Sequence, residues 1–84
     1  MRERGKETLA PVDIMGELLG CSVTSDEDSL VLESGGSHLE FVKNASAARL
    51  NSQIVPLPSV VLVEGGHWWV EARSAVKAFS RFLG

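Results

Sequence analysis

The chain has 84 residues, 44% of them hydrophobic and 23% charged, with a net charge of −3 and a pI near 5.2. A chain of this length makes one small domain that buries roughly 60–65% of its unfolded surface. The acidic balance argues against a phosphate-reading basic face or a polybasic membrane patch, the lone Cys21 excludes an internal disulfide framework, and no apolar run approaches the roughly 18–20 residues of a membrane span.

Taken in order, residues 1–8 (Met1 to Thr8) are highly charged, lack the hydrophobic stretch of a signal peptide and read as a flexible tail. Residues 9–84 read as a single domain. A first helix is expected from about Pro11 to Leu19. Pro at the first helical position sacrifices no intrahelical hydrogen bond. Val12, Met15 and Leu19 share one face by 3.6-residue spacing, with Ile14 and Leu18 widening it. Gly16 costs about 1 kcal/mol of helix propensity relative to Ala, and its role is expected to be the close approach of a strand. Gly20 suits a left-handed helix stop.

Strands and turns follow. Cys21 to Thr24 and Ser29 to Glu33 are expected to pair around the polar turn Ser25-Asp26-Glu27-Asp28. Gly35-Gly36 supplies the next turn. His38 to Val42 alternates, with Leu39 and Phe41 inward and His38 and Glu40 outward. Ala45 to Leu50 is a weaker strand, Asn51-Ser52 a tight turn, and Gln53-Ile54-Val55 the return strand, which Pro56 ends. Val60-Val61-Leu62-Val63 is a buried strand or an apolar segment packed under a helix. Gly65-Gly66 turns the chain into Trp68-Trp69-Val70. The last helix is the clearest element: Ala72, Ala75, Val76, Phe79, Phe82 and Leu83 recur at helical spacing, with Arg73, Lys77 and Arg81 opposite. Its expected partners are Leu30, Leu32, Leu39 and Phe41. The short hairpin spacings favour sequential antiparallel pairing. The predicted class is α+β, in the order α–β(about five)–α, with a meander sheet curled around and packed on helices.

Little in the chain reads as chemistry. His38, His67 and Cys21 are the only soft metal ligands, and none shares a local two-ligand motif. Asp26-Glu27-Asp28 lacks the glycine and the ligand-spaced Glu of a calcium loop. Gly35-Gly36 and Gly65-Gly66 are not followed by a phosphate-binding signature. No catalytic residue, metal ligand or cofactor-binding residue is assigned, and the expected cofactor is none. Trp68-Trp69 is the one feature with binding potential. Neighbours in an extended stretch point to opposite faces, so one enters the core and the other is available at the surface. An exposed Trp beside His67 suits stacking on a sugar ring or a partner protein. His67, Trp68 and Trp69 are therefore the candidate binding surface.

Leu9-Ala10-Pro11-Val12-Asp13, then Leu19-Gly20, then Val23-Thr24-Ser25-Asp26, resembles the Tyr-Val-Pro-Leu-Arg … Leu-Gly … Val-x-Trp-Asp pattern of the copper amine oxidase N-terminal-like (stalk) domain family. The hairpin at Asn51-Ser52 and the run Gly66-His67-Trp68-Trp69-Val70 extend the resemblance over residues 9–84. Asp13 stands where the family usually has Arg, and Ser25 where it often has Trp. Residues 69–84 echo the opening stretch: Arg73 matches the family's Arg, and Glu71 replaces its Pro. The run from Arg73 to Gly84 is one helical turn longer than that from Asp13 to Gly20. The resemblance implies a sheet curled around a helix. It also implies a non-catalytic accessory domain of a bacterial cell-envelope or secreted protein, periplasmic or extracellular, often in the company of peptidoglycan amidases. Copper belongs to a separate domain of the oxidases. The expected partners are peptidoglycan or another protein domain, with no nucleic acid. An exposed helix or open sheet edge would allow dimers. The chain is expected to be a piece of a longer protein, in which the closing helix of one unit starts the next.

Overall fold

A computed structural model describes residues 2–84. Nine strands and two helices follow one another as β1 (Arg2–Arg4), β2 (Glu7–Pro11), α1 (Val12–Leu18), β3 (Ser22–Ser25), β4 (Ser29–Ser34), β5 (Ser37–Val42), β6 (Ala47–Leu50), β7 (Gln53–Pro56), β8 (Leu62–Glu64), β9 (His67–Glu71) and α2 (Ala72–Leu83). The class is α+β, with two antiparallel sheets.

The larger sheet is the expected meander. Its strand order, β3-β4-β5-β6-β7, is the order of the chain, and it curls into a half-barrel. Period-2 alternation sets its register. Leu30 faces Phe41, Leu32 faces Leu39, Leu39 faces Leu50, and Ala48 lies between Phe41 and Val55. All of these are buried and form one inward row. A one-residue slip would turn the whole row to water, so the hydrophobic pattern fixes the pairing. On the outer face Glu40 lies 3.8 Å from Arg49 and Glu33 lies 3.2 Å from His38. Asn51 pins the last hairpin, its Oδ1 accepting from the His38 N–H at 2.9 Å.

The second sheet was not foreseen. Its order is β1-β2-β9-β8. Residues 2–8, expected as a tail, supply β1 and the first half of β2, paired as Arg2↔Leu9, Glu3↔Thr8 and Arg4↔Glu7. Met1 lies outside the described residues. The high charge that suggested a tail belongs to an edge strand, where charged side chains keep the open edge solvated. Arg4 also leaves the sheet to donate to Ser59 Oγ at 2.7 Å and to the Val60 carbonyl at 3.0 Å. The 57–61 connector is stitched to the meander by Leu57 N–H to Ser46 O and by Val61 N–H to Ala45 O, both at 2.9 Å. Val61 is fully buried, whereas β8 proper begins at Leu62.

This small sheet contains an internal repeat. The β1–β2 hairpin runs directly into α1, and the β8–β9 hairpin runs directly into α2. Shifted by 60 residues, Arg2↔Leu9, Glu3↔Thr8 and Arg4↔Glu7 become Leu62↔Trp69, Val63↔Trp68 and Glu64↔His67, and these are the pairs observed. The two units meet through β2 and β9, paired as Leu9↔Glu71, Ala10↔Val70 and Pro11↔Trp69. The same shift carries that register onto itself, so a local pseudo-twofold axis passes between Ala10 and Val70. Gly5 (φ 60°) and Gly65 (φ 61°) open the two hairpins alike. The echo between residues 9–20 and 69–84 is thus a structural duplication of strand, strand and helix.

The helices differ from expectation in what they bury. In α1, Val12 and Gly16 are the buried residues, while Leu18 is 81% and Leu19 52% exposed. Pro11 ends β2 and caps the helix, which is only seven residues long. The strand approach expected at Gly16 is present: a Cβ there would meet Leu32 Cδ2 at 2.8 Å. In α2, Ala75, Ala78, Phe79 and Phe82 are buried, but Val76 and Leu83 face out. Small alanines sit nearest the sheet, and the two phenylalanine rings pack edge to face with centroids 6.2 Å apart.

Candidate functional site

The candidate residues lie on β9, directly after the β8–β9 turn. Gly65 (φ 61°) and Gly66 (φ 79°) both take left-handed backbone, which lets a two-residue turn match the twist of its strands. The strand that follows alternates. Trp68 and Val70 enter the core, whereas His67, Trp69 and Glu71 lie on the other face, half-buried. Trp68 is 5% exposed. It is therefore a packing residue, and of the two tryptophans Trp69 faces outward.

Trp69 is fixed by its neighbours. Pro11 and Leu62 are its cross-strand partners on either side. Its indole N–H donates to the Glu64 carbonyl at 3.1 Å, back across the hairpin. The His67 ring stands edge-on to it, with centroids 6.3 Å apart and planes at 85°. Residues two apart on a strand share a face, so this contact follows from the β geometry. The result is an amphipathic surface of one indole and one imidazole at the end of the small sheet.

Asp13 joins this cluster from α1. Its Oδ1 accepts the Trp68 backbone N–H at 3.1 Å, and its Oδ2 lies 2.9 Å from His67 Nδ1. The Asp13 side chain is 16% exposed and that of His67 44%. A carboxylate only accepts, so the imidazole proton sits on Nδ1, and in the neutral ring Nε2 is the acceptor. Sequence reasoning weighed Asp13 only as a departure from the family's Arg and did not place it here. The signal available was its position in the first turn of a helix, where an acidic side chain is favoured. Its partners lie 54 and 55 residues away in the chain, which no local pattern reveals.

Glu71 closes the strand and caps α2. Its carboxylate accepts from the Arg73 and Ser74 backbone N–H groups, both at 3.0 Å, and from the Ser74 hydroxyl at 2.9 Å. The Arg73 N–H is the main cause holding the carboxyl below its usual range, with burial opposing it and the Ser74 N–H and hydroxyl adding to it. Glu71 thus gives α2 a side-chain cap.

The remaining candidates lie apart. His38 pairs with Glu33 on the outer face of the meander. Cys21 is half-buried against the core beside α1. Asp26 folds its own turn: its Oδ1 accepts from the Asp28 and Ser29 N–H groups at 2.8 Å, which lowers its carboxyl from the ordinary value. Among the described residues no three His, Cys, Asp or Glu side chains converge as a metal site. Likewise, no helix among them is long and apolar enough to cross a membrane. Comparison of this chain with known proteins finds no matching family model, curated protein or solved structure.

Proposed function

We propose that this chain is a structural accessory domain, a stalk-like spacer of a larger bacterial cell-envelope or secreted protein. The reading rests on the resemblance of residues 9–84 to stalk domains. The observation that carries it is the duplicated hairpin–helix unit. The first strand pair and the last strand pair of the chain are mated by β2 and β9, so both units belong to one sheet. A module tied together in this way holds its two hairpin–helix units in one fixed orientation, as a structural accessory domain requires. Cell-wall enzymes such as peptidoglycan amidases are the company the resemblance implies.

A second reading, a glycan- or protein-binding module, is favoured by one specific observation: the outward-facing, half-buried Trp69 indole set against His67. Aromatic faces of this kind stack on sugar rings. The two readings separate in one experiment. The purified chain is sedimented with purified peptidoglycan, alongside Trp69→Ala. A spacer stays in the supernatant with either sequence. Retention of the parent chain that is lost in Trp69→Ala would replace the spacer reading with the binding one.

A further inference from the structure

The 60-residue repeat carries the Asp13 cluster onto a second place in the molecule: Asp13 maps to Arg73, His67 to Glu7 and Trp68 to Thr8. The strand geometry is the same in both. Glu64↔His67 and Arg4↔Glu7 each close a two-residue turn as a hydrogen-bonded pair, so Trp68 and Thr8, next along, turn their N–H groups away from the hairpin partner. At the first place the Trp68 N–H meets the Asp13 carboxylate at 3.1 Å. At the second, Arg73 stands in place of Asp13, and a guanidinium cannot accept a hydrogen bond. An open cleft of about 490 Å³ lies there, lined by Lys6, Glu7, Thr8, Pro58, Glu71 and Arg73.

The anions of this cleft already have partners. Glu7 pairs with Arg4 at 3.6 Å. Glu71 directs its carboxylate to the Arg73 and Ser74 N–H groups and the Ser74 hydroxyl, so the start of α2 is closed by the chain itself. The cations do not: among the described residues, neither Lys6 nor Arg73 has a carboxylate within ion-pair distance. We propose that the cleft binds a carboxylate, seated where the repeat places that of Asp13. One oxygen accepts the Thr8 N–H, as Asp13 Oδ1 accepts that of Trp68, and the Arg73 guanidinium and Lys6 ammonium pair with its charge. The filled half of the repeat thus shows which group the open half takes. A phosphate is disfavoured, because its second negative charge would stand against Glu7 and Glu71. Both cations are exposed, which suits weak binding. This activity goes beyond a spacer and does not depend on that role. A free carboxylate and the C-terminus of a peptide share the required chemistry.

Amide chemical shifts of the isotope-labelled chain test this during titration with sodium acetate and with acetyl-alanyl-alanine, ionic strength being held constant with sodium chloride. A saturable shift of the Thr8 amide is expected, with a dissociation constant of about 1–10 mM. Equal affinity for the two probes assigns the site to the carboxylate group alone, and tighter binding of the dipeptide assigns it to a peptide C-terminus. Arg73 lies on the surface, so its variants should keep the parent's circular dichroism. Arg73→Gln should weaken binding about 3–5-fold. Arg73→Asp should abolish it. In acetate-free buffer Arg73→Asp should already move the Thr8 amide in the direction that acetate moves it in the parent, because the chain then supplies the carboxylate as it does at Asp13, whereas Arg73→Gln should not. Three results would each overturn the proposal: shifts that rise without saturating, the same shifts from the C-terminal amide of the dipeptide, or undiminished binding in Arg73→Gln.

Discussion

At the residue scale, Glu71 settles a problem that strand-to-helix joints create, and Asp13 serves a different contact. A strand that turns directly into a helix leaves the first helical N–H groups without intrahelical acceptors. Glu71 answers this for α2 by accepting from the Arg73 and Ser74 N–H groups. Pro11 caps α1 without a side-chain bond, and Asp13 instead spends its carboxylate on β9. Asp13→Ala strips the Trp68 N–H of its acceptor in a half-buried place, a loss of about 1–3 kcal/mol. Asp13→Asn keeps an oxygen for that N–H and should lose less, and thermal melting followed by circular dichroism ranks the two. The lowered Glu71 carboxyl gives a pH dependence with a definite sign. Its ionised form is favoured by the folded state, so the contribution is present above the ordinary value of 4.5 and is lost as pH falls through the lower folded value. Melting temperature should therefore decline more steeply below pH 4.5 in the parent than in Glu71→Gln. Equal slopes would show that the cap contributes nothing in solution.

At the element scale, the two helices occupy equivalent places with opposite demands. Gly16 lies where the meander presses on α1, whereas Val76 lies where nothing in this chain covers α2. Gly16→Val should lower stability by about 1–3 kcal/mol through overpacking against Leu32. Val76→Gly should cost only about 0.5 kcal/mol through helix propensity alone. Parallel urea titrations of both variants check the contrast, and equal losses would show that the two sites are not distinguished by packing. The sequence made both helices legible as elements, and it foresaw the close approach at Gly16. It misplaced parts of their faces. Val76 and Leu83 fit the apolar spacing of α2 as well as Phe79 and Phe82 do, and periodicity cannot tell a stripe that meets a sheet from the flank beside it. Leu18 and Leu19 fit α1 in the same way. The helix stops at Leu18, and both side chains fall past the edge of the packed region.

At the scale of the whole molecule, two sheets share one core. Ala10, Trp68 and Val70 from the small sheet pack in the same cluster as Leu32, Leu39 and Phe41 from the meander. The domain should therefore unfold as one unit. Both tryptophans lie on β9, so their fluorescence reports the small sheet, while the amide-proton resonances of β4 and β5 followed through the same heating report the meander. The two melting curves should coincide, and a separate earlier loss of tryptophan signal would mean that the hairpin–helix units detach first. The sequence by itself determined the meander, its inward row and the division of Trp68 from Trp69. These depend on alternation and on turns of a few residues, which are local and were read directly. It also contained the echo between residues 9–20 and 69–84. Only the tertiary structure decided that the two echoes pair with each other through Ala10 and Val70, that residues 2–4 form a strand, and that Asp13 reaches Trp68 and His67. Those contacts join segments more than fifty residues apart, or need a partner strand before they have any reason to form. The β2–β9 and Asp13 contacts become stabilising only in a tertiary structure that brings the two ends of the chain together.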